Sequence, residues 1–182
     1  MRRTISSCTG NSIAGMTEQG HADVEASVDI GADAGVVYAL ITDLPAMAQV
    51  VAETTSMEWV KGDAAHPGAK FKGKNSHGTK SWSTACTITD ADPGKVFAFD
   101  VRSAVVPVAH WRYDIESTGD GACRVTERSW DRRPGWFRVP AGWATGVKDR
   151  KSANAEHIAE TLQRLKEKAE ARGGAAPAAT SN

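Results

Sequence analysis

Apolar and polar residues alternate from Ala22 to Ile30. Ala22, Val24, Ala26, Val28 and Ile30 fall on one face, and Asp23, Glu25, Ser27 and Asp29 on the other. A period of two predicts a half-buried strand. The pattern then changes. Asp33 can cap a helix over 34–42 whose apolar face is Val37, Leu40 and Ile41, with Leu44 beyond it. Pro45 opens a second short helix to about Val51. From Glu53 to Arg132 the helical period vanishes. Short runs predict strands at 54–61, 69–77, 81–91, 95–103, 106–117 and 122–131. The breaks are Lys61-Gly62-Asp63, His77-Gly78, Asp92-Pro93-Gly94 and Gly119-Asp120-Gly121, with Ser103 to Val106 the least defined. A helical stripe returns as Val147, Ala155, Ile158, Leu162, Leu165 and Ala169, which predicts one helix over 147–172 stopped by Gly173-Gly174.

Strand, two short helices, six strands and a long helix make an α+β chain. Short connections favour antiparallel neighbours, so the order is satisfied by a seven-stranded antiparallel sheet wrapped around the C-terminal helix. The helix stripe is uneven. Ile158, Leu162 and Leu165 can anchor it, whereas Gly142, Ala144, Gly146, Ser152, Ala153 and Asn154 lead into it. The first half therefore roofs a space, unless it is simply an under-packed first turn.

Strand parity gives the inward side chains. Trp82, Thr84, Cys86 and Ile88 share one face of the fourth strand; Phe97, Phe99 and Val101 share one of the fifth. On the sixth, Trp111, Tyr113 and Ile115 oppose His110 and Arg112. On the seventh, Cys123, Val125, Glu127 and Ser129 are inward. Phe71, Gly73 and Asn75 share a face of the third. An inward carboxylate must be paired, hydrogen-bonded or shifted in pKa. Glu127, Tyr113 and Asn75 are thus a candidate polar cluster in an apolar cup lined by Phe71, Trp82, Phe97, Phe99 and Trp111, with Trp143 and Asn154 over it. Such a cluster can orient a greasy ligand, act as acid and base, or be a purely structural network.

Composition narrows the classes. Lys+Arg and Asp+Glu are 22 each, so there is no electrostatic case for nucleic acid. No run of about 18 apolar residues offers a transmembrane span. The three cysteines, Cys8, Cys86 and Cys123, form no close pair and suit a reducing, cytoplasmic setting. The five histidines have no metal-ligand spacing, and no cofactor motif is present. Residues 1–20 and 173–182 are expected to be disordered ends around one domain at 21–172, and Met16 is a second candidate start. Six tryptophans stand against two tyrosines. Trp130, Trp136, Phe137 and Trp143, interleaved with Arg132, Arg133, Arg138 and Lys148, link the last strand to the long helix. A lid, a patch docking on a membrane surface or a protein partner, and a plug all fit.

These motifs together resemble the START-like (SRPBCC) superfamily with the helix-grip fold, and within it the polyketide cyclase/dehydrase and lipid-transport group. The carrying residues are Ile30 and Ala32 before Val37-Tyr38 and Thr42-Asp43, Gly68 to Asn75, Trp82, Asp92 to Phe99, Trp111 to Tyr113, Arg124 to Trp130, and Thr161 to Lys166. Where many members of that group carry Trp and Pro before the glutamate opening the second strand, this chain has Val50, Val51 and Ala52 before Glu53. The resemblance implies a cavity between sheet and helix holding a small hydrophobic, lipid- or polyketide-like molecule. It does not imply one chemistry. Three functions follow as expectations: binding of such a molecule; cofactor-independent cyclase, aromatase or dehydratase activity with Glu127 and Tyr113 as acid and base and Asn75 as orienter; or protein interaction through the aromatic link. Oligomeric state is left open.

Overall fold

The computed structural model describes residues 20–147 and 149–173. Its elements are β1 (Val24–Ile30), α1 (Ala34–Thr42), α2 (Leu44–Ala48), β2 (Thr54–Lys61), β3 (Lys70–His77), β4 (Lys80–Asp92), β5 (Val96–Ser103), β6 (Val106–Gly119), β7 (Ala122–Asp131), α3 (Gly135–Thr145) and α4 (Arg150–Gly173). The strands form one seven-stranded antiparallel sheet in the order β1-β7-β6-β5-β4-β3-β2. Hairpins run from β2 to β7, and β1 completes the sheet beside β7. Asp33 accepts a hydrogen bond from the Gly35 N–H and caps α1; Asp43 accepts from the Ala46 N–H and caps α2. Gly94 takes φ 73° in the Asp92-Pro93-Gly94 turn, a left-handed conformation that only glycine adopts freely.

The sheet curls around α4. Register shifts in β2, in β4 at Ile88/Asp90 and at Val101/Arg102 mark bulges, which bend and twist strands locally. The second half of α4 carries the grip: Ile158, Leu162, Leu165 and Ala169 are buried. There Glu170 accepts from the Gly31 N–H and Lys166 donates to the Asp29 carbonyl, tying the helix end to β1.

Three expectations change. Residues 135–145 form a separate helix, α3, and α4 starts at Arg150, so Gly142 and Ala144 belong to α3, Gly146 ends it, and buried Val147 lies in the link. Pro140 and the glycines obscure the α3 period in sequence, and Gly146 (φ 77°) closes it. Ala155 is exposed; the inward face runs instead through Arg150, Asn154, His157, Ile158 and Thr161. Gly173 is the last residue of α4. Lys148, the glycine at 174 and the ends at 1–19 and 174–182 lie outside the described residues.

The convex face of the sheet is polar. Arg124 grips Asp29 with two hydrogen bonds, Arg128 pairs with Glu25 and Asp114, and Arg112 with Asp114 and Asp90. Exposed pairs of this kind contribute little each. His110 stands on this outward face as parity predicts, yet it is buried: its ring packs at a tilt against Trp130, and its Nδ1 lies 2.8 Å from Asp100 Oδ1.

Candidate functional site

Between the concave face and the first half of α4 is a cavity of about 220 Å³. That is far above the roughly 10–15 Å³ a single water needs by the same measure. The antiparallel topology sets where it opens. The start of β2, the β3–β4 and β5–β6 hairpin tips and the end of β7 all lie on one edge of the sheet. Glu53, Ser103 and Asp131, which line the cavity, mark that edge as its mouth, and Phe137, Ala141, Ala144 and Thr145 of α3 cover it.

The walls are aromatic. Phe71, Trp82, Phe99 and Trp111 line them, and Phe71 meets Phe99 edge to face at 5.2 Å. Phe97 is placed differently from expectation. It shares the parity of Phe99 but is wholly buried and packs in the core. The cup narrows before reaching it, and Tyr113 opposes it on β6. Trp143 is also off the cavity: it is 80% exposed on the outer face of α3. Asn154 lines the cavity as expected.

Tyr113 and Glu127 are directly opposed on β6 and β7, and each is only 2% exposed. The Tyr113 hydroxyl donates to Glu127 Oε1 at 2.7 Å. Glu127 Oε2 has no partner among the described residues, although both side chains line the cavity. Burial pushes the Glu127 carboxyl up to about 8, against the lowering effect of the Tyr113 hydrogen bond. Burial, then the Glu127 charge, raises the Tyr113 phenol well above its ordinary range. The pair sits four residues in from Asp131 along β7, roughly 13 Å at the rise of a strand. It is therefore a protonatable donor–acceptor pair set in an apolar wall.

Asn75 does not join it. Its Oδ1 accepts from Thr54 and its Nδ2 donates to Thr84, so it ties β2, β3 and β4 together. Strands β4, β5 and β6 separate it from Glu127. It still lines the cavity.

A second polar group at the mouth escaped the sequence reading. Arg150 Nη1 donates to Glu53 Oε2 at 2.7 Å and Nη2 to Thr145 Oγ1 at 3.1 Å, while its guanidinium lies 5.8 Å from the Trp82 ring. His77 and His157 each place Nδ1 3.9 Å from Glu53 Oε1, which has no hydrogen-bond partner among the described residues. Val51 also lines the cavity, so the turn that departs from the family pattern does border the site. Arg133, held by Asp131 through two side-chain bonds, completes the rim. In sequence nothing local pairs Arg150 with a residue 97 positions away. Among the described residues no group of three His, Cys, Asp or Glu is arranged to hold a metal ion.

A family model described as polyketide cyclase / dehydrase and lipid transport matches residues 21–170. The chain belongs to this family. Among solved structures it is similar to the di-domain ARO/CYC StfQ from the steffimycin biosynthetic pathway, with TM-score 0.60 and 12% identity. That match covers 82% of this chain and 45% of the larger one. The Zhui aromatase/cyclase from Streptomyces sp. R1128 matches with TM-score 0.60 and 17% identity over 82% of this chain and 93% of that one. The polyketide_cyc-like protein Cgl2372 from Corynebacterium glutamicum matches with TM-score 0.56 and 24% identity, over 82% and 91%. At these identities the likeness is one of fold. A search of curated proteins finds no match to the chain. The fold of this polyketide cyclase / dehydrase and lipid-transport family member is thus the helix-grip arrangement expected.

Proposed function

We propose that the cavity binds a small hydrophobic molecule, lipid- or polyketide-like, with at least one carbonyl or hydroxyl group. The free oxygen of Glu127 carries this reading. A carboxyl buried in an aromatic cup, with one oxygen engaged by Tyr113 and the other open to the cavity, presents a hydrogen-bonding group to a ligand bound there. Phe71, Phe99, Trp82 and Trp111 supply apolar contact; Asn75 and Asn154 supply further hydrogen-bonding groups. The family match supports this class of ligand. The two buried free thiols, Cys86 and Cys123, fit a cytoplasmic setting. Native mass spectrometry of the purified protein should show a bound small molecule. A protein that takes up no hydrophobic probe under any condition rules the reading out.

The second reading is cofactor-independent cyclase or dehydratase chemistry. Its support is the raised pKa of Glu127 beside Tyr113. A carboxyl protonated near neutral pH can deliver a proton from Oε2 to a ligand oxygen, and once ionised can take one from carbon next to a carbonyl. Tyr113 holds Oε1 and so keeps Oε2 facing the ligand. Turnover of a poly-β-ketone analogue should rise and fall around the Glu127 pKa and vanish in Glu127→Gln with binding retained. Binding without any turnover in the wild type leaves only the carrier.

A further inference from the structure

We propose that the mouth edge of the sheet, with α3 at its centre, docks on the interfacial region of an anionic lipid bilayer. Five large hydrophobic residues are conspicuously exposed among the described residues, and their distribution is the first argument. Trp136 (70%), Val139 (69%) and Trp143 (80%) share one face of α3, and Val105 (83%) is at the β5–β6 tip on the same edge. Only Val60 lies at the far end, on β2. The opposite face of α3 is committed to the cavity through Phe137, Ala141 and Ala144. The helix therefore has two apolar faces, and the fold covers one.

Charge is the second argument. The whole chain is neutral, with 22 basic and 22 acidic residues, yet 132–146 contains Arg132, Arg133 and Arg138 and no acid. Arg133 is occupied by Asp131, which Arg138 also approaches at 3.9 Å. Arg132 and Arg138 are exposed, as are Lys80 and Lys151. Arg138 and Lys151 border one crevice beside α3, and the Lys80 stem lies at the Gly146 end. Of the acids nearby, Glu53 is engaged by Arg150 and Asp131 by Arg133, while Asp23, in the same crevice, and Asp149 accept from the backbone amides of Asp131 and Ser152. Basic side chains thus flank the tryptophans on both sides.

Size separates a bilayer from a protein partner. A stable protein interface buries about 800 Å² per side, whereas α3 is 11 residues, roughly 17 Å long. A bilayer asks only that a few side chains enter the headgroup boundary, where indole rings are favoured, while basic neighbours meet anionic headgroups. Docked so, the mouth faces the phase in which a hydrophobic ligand is dissolved. That last point rests on the reading of the cavity as a hydrophobic-ligand site; the docking itself does not.

The test is co-sedimentation of the full chain with vesicles of phosphatidylcholine alone or mixed with phosphatidylglycerol. The wild type should sediment with the mixed vesicles and far less with phosphatidylcholine, and added salt should release it. Trp136→Ala with Trp143→Ala should weaken binding about tenfold or more. Arg138→Gln with Lys151→Gln should weaken it by roughly fivefold per charge, on mixed vesicles only. The charge pair decides the matter if the tryptophan pair misfolds. Wild-type protein left in the supernatant, equal binding to both vesicle types, or binding unchanged in both variants overturns the proposal. So does a tryptophan-dependent dimer in sedimentation velocity without vesicle binding, which would make this face a contact between two copies. Ligand retention by native mass spectrometry is read separately, so an empty cavity and a non-docking α3 are distinguishable.

Discussion

Arg150 and Glu53 join the first turn of α4 to the residue before β2 through a 2.7 Å hydrogen bond. Both are largely buried, with side-chain exposures of 17% and 15%. The helix carries no apolar residue at that end of its inward face, so this contact, with Thr145 and Trp82 around it, holds the roof over the mouth.

Arg150→Ala should therefore lower stability by about 2 kcal/mol, because it leaves the largely buried Glu53 carboxylate without its arginine partner. Arg150→Ala combined with Glu53→Ala should be less destabilising than the sum of the single changes. Urea unfolding of the four proteins measures the coupling. Strict additivity would mean the pair contributes nothing.

Glu127 gives the stability a pH slope of unusual sign. Its folded-state pKa is raised from 4.5 to about 8, so between those values the folded chain binds more protons than the unfolded one. Stability should then fall as pH rises from about 4.5 to about 8, by at most ~1.4 kcal/mol per pH unit, and level off above. Glu127→Gln should flatten this profile, leaving the variant relatively more stable at pH 8 than at pH 5. Thermal melts of both proteins across that range are the measurement, and parallel profiles would show that Glu127 is ionised throughout.

The two halves of α4 should respond differently to truncation. Leu165 is fully buried, so Leu165→Ala should cost about 2–5 kcal/mol through lost contacts and a new void. Asn154 borders space that is already open, so Asn154→Ala should stay within about 0.5 kcal/mol. Denaturant midpoints of the two variants test the division; equal losses would mean the first half of α4 is as tightly packed as the second.

Burial pushes the Cys86 thiol up to about 12, against the lowering effect of Thr84, and burial also raises that of Cys123. In a Cys8→Ser background, neither should react with a disulfide reagent at pH 8 until the chain unfolds. Reaction on mixing would mean the concave face opens readily.

Most of the fold was legible because it depends on neighbours in sequence. Short runs between turn signals located the strands, and Asp33 caps α1 by bonding to the amide two positions on. Parity put Glu127 inside, and with Tyr113 on the matching face of the adjacent strand their hydrogen bond needed only register to complete it. Where the local signal was weak, reading failed: Pro140 hid α3, and Ala155 was assigned to a face that the helix turns outward.

The remaining features of the site are long-range. Parity says which face a side chain takes but not how far it lies from others on that face. Thus Asn75 was grouped with Glu127 although three strands separate them, and Phe97 was assigned to a wall that the curl of the sheet seals off. Sheet curvature set by bulges, and the angle at which α4 meets it, decide which inward residues touch and which enclose open space. Those quantities arise from packing across the whole chain, and this is why the Arg150–Glu53 contact and the outward tryptophans of α3 emerged only in three dimensions.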